Sequence, residues 1–235
     1  MDFNFLSTPR IVCESGGLGR IGSLMQDLSC TRALVVTDPG ILACGFADEA
    51  AASLRAAGIE VEIFHKVEAD PPIAVVEAAV EVARAFGADG IIGLGGGSSL
   101  DTAKVIAAAV ANDQPITDMI GINQVTDKRL PLIQVPTTAG TGSEVTWVSV
   151  LTSESHEKKA VYAPQLLPDV ALLDAKLTLG MPRHITAATA LDAMVHAIEA
   201  VTSRTRKNPI SDGMADKALV LLGQNLPIVM ETPSD

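Results

Sequence analysis

The chain has 235 residues, 48% of them apolar but only 3% aromatic, and a formal net charge of −11. That length allows one large domain or one and a half, and an apolar fraction dominated by Ala, Val, Leu and Ile is that of helices packed on a buried parallel sheet. The acidity argues against a general role on nucleic acid or anionic membranes, which are recognised through clustered Lys and Arg, and leaves small polar ligands open.

Cys13, Cys30 and Cys44 are odd in number and form no C-x-x-C pair, so neither a disulfide framework nor a zinc-thiolate site is indicated. No uncharged apolar run approaches the roughly 18 residues of a membrane span, and Met1-Asp-Phe-Asn lacks the basic start of a signal peptide. The expectation is a cytoplasmic protein without a targeting segment.

Arg10-Ile-Val-Cys-Glu14 reads as a short strand and Leu18 to Leu28 as a helix with a stripe at Leu18, Ile21, Leu24, Met25 and Leu28. Between them Gly17-Leu-Gly-Arg-Ile-Gly22 matches G-x-G-x-x-G, and Asp38 follows about twenty residues on, after the strand Ala33-Leu-Val-Val-Thr37. The strand before this motif is short and polar, which favours a later loop for phosphates. Asp38 reads in two ways: it accepts the ribose hydroxyls and repels a 2′-phosphate, selecting NAD over NADP, or it opens an Asp-Pro-Gly turn. Phe46 to Ala57 is a helix stopped by Gly58, Ile59 to Phe64 a strand, and Ile73 to Phe86 a helix with Gly87 just past its end. His65, Glu60, Glu62 and Glu68 read as solvated surface.

Ala88 to Lys104 is an apolar run that breaks into Gly95, Gly96 and Gly97 and restarts as a helix. Backbone without Cβ lets an anion approach a row of N–H groups. Ser98 is the expected N-cap, with Asp101 three residues on reaching back as in a capping box, so that the positive end of the helix faces the loop. The guest indicated is a nucleotide pyrophosphate, the alternative a tight turn with no ligand. After a polar stretch, Asn112 to Arg129, a second strand-to-loop transition at Leu130 to Val145 places the hydroxyls of Thr137, Thr138, Thr141 and Ser143 among glycines. They suit a phosphate, a ribose or a carboxamide, or a structural Ser/Thr turn. Lys159 follows a predicted hairpin, where it either approaches the cofactor or faces solvent. Val170 to Asp174 is the last strand. Helices take over from Pro182, which places an α/β nucleotide-binding domain at 1–178 and the start of a helical domain at 179–235.

Asp192 and His196 stand four apart on a helix and project from one face. Carboxylate plus imidazole suits Fe²⁺, Zn²⁺ or Mn²⁺, or makes a simple ion pair. Two ligands are fewer than the three protein ligands of a catalytic zinc-type centre, and His65, His156 and His184 show no partner spacing.

Gly95-Gly-Gly-Ser-Ser-Leu-Asp-Thr-Ala-Lys104, Pro136-Thr-Thr-Ala-Gly-Thr-Gly-Ser-Glu-Val-Thr146 and Ala190-Leu-Asp-Ala-Met-Val-His-Ala-Ile-Glu199 together resemble the iron-containing (group III) alcohol dehydrogenases. The resemblance implies a dehydroquinate synthase-like α/β domain, a parallel sheet with helices on both faces, then an all-helical domain, with NAD(P) in the cleft between them. It implies that Asp38 selects the cofactor, that Gly96, Gly97 and Ser98 hold the pyrophosphate, that Thr137, Thr138 and Lys159 line the cofactor, and that Asp192 and His196 are two of four metal ligands. The implied cofactors are NAD and Fe²⁺ or Zn²⁺, the partner a small alcohol or carbonyl substrate, the assembly a homodimer or larger homo-oligomer. The cation would lower the alcohol's pKa while hydride passes to the nicotinamide. Family members continue well beyond the length of this chain and supply two histidines from later helices, so a truncated helical domain of two helices, weak metal binding and little activity are expected. Rival readings are a same-fold relative such as glycerol dehydrogenase or maleylacetate reductase, and a truncated NAD-binding module without turnover.

Overall fold

A computed structural model describes residues 2–232; the last three residues of the expected helical domain, 233–235, lie outside the described residues. In chain order, β1 (Arg10–Cys13), α1 (Ile21–Asp27) and β2 (Arg32–Val36) are followed by α2 (Pro39–Ala43), α3 (Phe46–Ala56), β3 (Glu60–Phe64) and α4 (Ile73–Phe86). β4 (Gly90–Gly95) leads into α5 (Gly97–Asn112), and α6 (Ile116–Met119) and β5 (Gly121–Ile122) precede β6 (Leu132–Pro136). The hairpin β7 (Val148–Thr152) and β8 (Lys158–Tyr162), then β9 (Val170–Leu173), α7 (Arg183–Thr202) and α8 (Pro209–Glu231), complete the chain.

Six strands form one sheet in the order β1-β9-β6-β4-β2-β3, with every pairing parallel. β4 and β6 are buried throughout, and β2 is buried after Arg32, as strands covered on both faces must be. The chain steps outward from β2 to β3, returns to place β4 on the other side of β2, and continues outward through β6 and β9. This reversal makes the carboxyl ends of β2 and β4 a topological switch point, where open parallel sheets receive ligands. The core beside it packs α4 and α5, through Val76, Val80, Ile106 and Ala107, against Leu34, Ile91 and Leu132 of the sheet.

Two local expectations change. The first turn of the helix expected from Leu18 is a 3₁₀ turn, Gly17–Arg20, that runs into α1. The polar stretch after α5 contains α6 and β5 because Ile116 and Met119 are buried, and β5 joins β8 and β7 in a separate three-stranded sheet.

The G-x-G-x-x-G stretch is accounted for without a nucleotide. Asp174, buried at the end of β9, accepts hydrogen bonds from the Gly16 N–H (2.9 Å) and the Leu18 N–H (3.2 Å), so a carboxylate of the chain itself already meets this turn. Gly22 lies where α1 crosses α3: a Cβ there would press on the Ser53 carbonyl and come within 2.9 Å of the Ala57 methyl.

The chain divides into two compact units. One holds Ser7–Thr137 and Ser143–Lys176; the other holds Met1–Leu6, Thr138–Gly142 and Leu177–Asp235. In the second, α7 and α8 pack along each other. Pro209 at the first turn and Asn208, whose side chain accepts from the Ser211 N–H (3.0 Å), start α8. Leu191, Val195 and Ile198 of α7 and Met214 and Val220 of α8 are at least half exposed. By length and composition α7, with a mean hydropathy of 1.2, is long and apolar enough to cross a membrane; its Asp192, His196 and Glu199 interrupt that apolar length.

Gly22→Ala is expected to lower unfolding free energy by about 1–3 kcal/mol, the usual penalty of overpacking, measured by urea denaturation. A Gly19→Ala control, where a Cβ meets nothing within 4 Å, is expected to change stability by less than about 1 kcal/mol.

Candidate nucleotide site and metal-ligand pair

The candidate nucleotide site lies where β4 turns into α5. Gly95 has φ 149°, and a Cβ on it would lie 2.6 Å from the Ser99 hydroxyl and 3.2 Å from Asp38 Oδ2, so the position excludes a side chain on two counts. Gly96, in extended conformation, is the N-cap of α5 and offers no side chain to it, and the first turn carries no carboxylate. The first turn's N–H groups and the positive end of a 16-residue helix are thereby left for a ligand.

This overturns the expected capping box. Ser98 is not the N-cap but lies inside the helix, because the extended Gly96 starts α5 two residues earlier. Asp101 is therefore too far along the helix to reach back. Its Oδ1 accepts from the Ser143 hydroxyl (2.6 Å) and its Oδ2 from the Val150 N–H (2.8 Å).

Neighbouring strand ends complete the site. At the end of β2, Asp38 Oδ1 caps α2 through the Gly40 N–H (2.9 Å) and the Ile41 N–H (3.1 Å), as the turn reading required, while Oδ2 accepts from the Ser99 hydroxyl (3.3 Å). At the end of β6, the Thr137 N–H donates to the Gly95 carbonyl (2.9 Å). The hydroxyls of Thr37 and Thr137 are both buried without a hydrogen-bond partner, and an unmet buried hydroxyl costs about 1–3 kcal/mol. Two such groups at the ends of the strands flanking Gly95 fit a polar ligand seated at the switch point. Thr37 escaped sequence reading because Asp38 next to it carries the more conspicuous chemistry; its signal is its place as the last residue of a buried run.

The remaining expected cofactor residues separate. Thr138, whose hydroxyl is also buried and unpartnered, and Thr141 belong to the Thr138–Gly142 segment of the second unit. There a Cβ on Gly140 would lie 2.5 Å from the Thr189 carbonyl of α7. Ser143 is 5% exposed and bonds Asp101 and Lys104. Lys159, on β8, pairs with Glu157 at 2.6 Å and is partly exposed.

Sequence reading missed Lys104. Its side chain is fully buried, and Nζ donates to Ser143 Oγ (2.8 Å), Thr146 Oγ1 (3.1 Å) and the Val148 carbonyl (2.7 Å), with Asp101 Oδ1 at 3.5 Å. Burial pulls its pKa down to about 8, against the opposing pull of Asp101 and Glu144. Burial in turn raises the Glu144 carboxyl. The available signal was a lysine on the buried stripe Leu100, Ala103, Ala107 and Ala108. Cys30 is inert as a nucleophile, its thiol pushed up to about 12 chiefly by burial.

In α7 the nearest oxygen of Asp192 is 3.7 Å from His196 Nε2, and both side chains are about half exposed. The donor types suit a divalent metal, but among the described residues no group of three or more His, Cys, Asp or Glu could hold one. The pair is short of the three protein ligands of a catalytic centre.

The model of the iron-containing alcohol dehydrogenase family matches residues 8–175, and that of the family's C-terminal region matches residues 186–235. The chain belongs to this family. Its relatives among the iron-containing alcohol dehydrogenases include the sulfoacetaldehyde reductase of Bilophila wadsworthia, 37% identical over 96% of this chain and 58% of that one. The NAD-dependent methanol dehydrogenase of Bacillus methanolicus is 35% identical over 99% and 61%. A solved 1,3-propanediol oxidoreductase superposes with a TM-score of 0.96 at 36% identity, covering all of this chain and 62% of that one. The sulfoacetaldehyde reductase of Bifidobacterium kashiwanohense, solved in complex with NAD⁺, gives 0.93 at 31%, covering 100% and 62%. The chain thus spans about 60% of the length of these relatives.

Lys104 gives the family fold a pH signature in this chain. Below pH 8 the ammonium is charged in both folded and unfolded states; between pH 8 and the ordinary 10.5 only the unfolded state keeps the proton. Stability therefore rises with pH across that window. Relative to Lys104→Met, the wild type is expected to gain about 3 kcal/mol from pH 8 to 10.5, read by urea denaturation at each pH; parallel profiles would refute it.

Proposed function

We propose that the chain is the nucleotide-binding part of an oxidoreductase that interconverts an alcohol and an aldehyde or ketone by hydride transfer, using NAD and a divalent metal. The observation that carries this reading is the uncapped N-terminus of α5 behind Gly95, flanked by two buried hydroxyls without partners. NAD, when bound, supplies the nicotinamide that accepts or returns the hydride.

The first-turn N–H groups of α5 and the helix dipole bind the pyrophosphate. Asp38 Oδ2, beside Ser99, accepts a ribose hydroxyl, and its charge opposes a 2′-phosphate. Thr137 and Thr138 offer hydroxyls to the phosphates or the carboxamide, with Thr141 and Lys159 as further contacts of that cofactor. Asp192 and His196 supply two donors to the metal. The family membership supports the reaction class, and relatives named for methanol, choline, long-chain alcohols and sulfoacetaldehyde leave the substrate no narrower than an alcohol or carbonyl compound.

A fluorescence titration with NADH decides the nucleotide half: saturable binding is expected, with NADPH weaker by about tenfold or more through repulsion from Asp38. Gly95→Ala is expected to abolish binding, and Asp38→Asn to narrow the gap between the two nucleotides. No saturable NADH binding would sink the reading. For the metal half, the 235-residue chain dialysed after loading with Fe²⁺ or Zn²⁺ is expected to retain well under one equivalent by atomic absorption and to oxidise no simple alcohol. One firmly held ion with NAD-dependent turnover would overturn that expectation.

A further inference from the structure

Among the described residues Lys104 is the one lysine or arginine that is fully buried, and its contacts run in one direction. All three acceptors of its ammonium, Ser143 Oγ, Thr146 Oγ1 and the Val148 carbonyl, lie in one short segment of chain. Asp101, one turn earlier on α5, holds the same segment: its carboxylate accepts from the Ser143 hydroxyl and the Val150 N–H, and its backbone carbonyl accepts from the Ser149 hydroxyl (3.0 Å). One stretch of α5, beginning four residues after Gly97, therefore pins residues 143–150. The preceding strand end is tied to the same unit, since the Thr137 N–H bonds the Gly95 carbonyl. Thr137 and Ser143, the residues on either side of the Thr138–Gly142 run, are thus both fastened to β4 and α5.

An apolar side chain of similar length would fill the same space without the desolvation of a charge, and such replacements are often neutral or stabilising. What the ammonium adds is direction: three hydrogen bonds with fixed acceptors. We infer that Lys104 is a positioning residue for the nucleotide, its ammonium working with Asp101 to hold residues 143–150 on the helix whose N-terminus receives the pyrophosphate. The inference rests on the proposed nucleotide site. Lys104 itself does not touch the nucleotide.

The charged groups acting on Nζ are Asp101 of α5 and Glu144 of the Ser143–Val145 turn. The strands β4, β6 and β7 packed against α5 carry no charged side chain, and Arg84 of α4 is held by Asp113 and the Ala109 carbonyl near the far end of α5.

The test is the dissociation constant of NADH, with amide hydrogen exchange at Val150 followed in parallel. Lys104→Met is expected to raise the constant by about tenfold, with faster exchange at Val150 and an unchanged circular dichroism spectrum. A folded Lys104→Met protein that binds NADH as tightly as the wild type overturns the inference. If that variant does not fold, Thr146→Val combined with Ser149→Ala decides, because it keeps the charge and removes two of the ties: weaker NADH binding supports the inference and unchanged binding overturns it. A wild type that does not bind NADH overturns the nucleotide reading itself, a result distinct from either.

Discussion

The structure depends on how closely helices can approach the central strand. β4 is Gly-Ile-Ile-Gly-Leu-Gly, and its glycines stand where neighbours press hardest. A Cβ on Gly90 would lie 2.5 Å from the Met25 methyl, and one on Gly93 would lie 2.7 Å from Gln134 Oε1 and 2.9 Å from the Ala103 methyl. The strand takes α1 close on one face and α5 close on the other. Only because α5 lies so near can its first turn stand at the end of the strand, with Gly95 as the hinge between them. Burial of the sheet and receptivity to an anion thus have one cause, the removal of side chains from the middle of the molecule.

Charge is handled differently on the two sides of that helix. At its N-terminus α5 has no carboxylate in its first turn and leaves its N–H groups uncapped. In its middle it buries Lys104 and answers it with Asp101 and a row of hydroxyl and carbonyl oxygens. The first arrangement waits for a partner, whereas the second is complete within the fold. That contrast separates a binding feature from a structural one where residue type alone would not, since Ser98 and Ser143 are both serines near glycines and only one is already engaged in the internal network.

The fold was legible because its signals are periodic: β-branched and glycine-bearing runs alternate with helical stripes, as in Ile73–Phe86, whose predicted limits and left-handed Gly87 cap both recur in the structure. The glycine loop was legible for the same reason, as it comes directly after the most apolar strand. Caps were less legible, since the backbone at Gly96 moved the helix start by two residues and reassigned Ser98 and Asp101 together. Long-range pairings were not legible at all. Nothing near Lys104 in sequence announces Thr146 or Val148, and nothing near Gly16 announces Asp174, because such contacts depend on which strands become neighbours.

Asp174 carries a consequence for ligand choice. Two turns of the molecule present glycine-rich backbone N–H groups, and they differ in that the first has its counter-ion built in. A carboxylate delivered from the end of β9, more than 150 residues later in the chain, accepts two of its N–H groups. The two look-alike loops therefore differ in what they leave open: the first already bonds an anion of the chain itself, whereas the first turn of α5 has no side-chain cap.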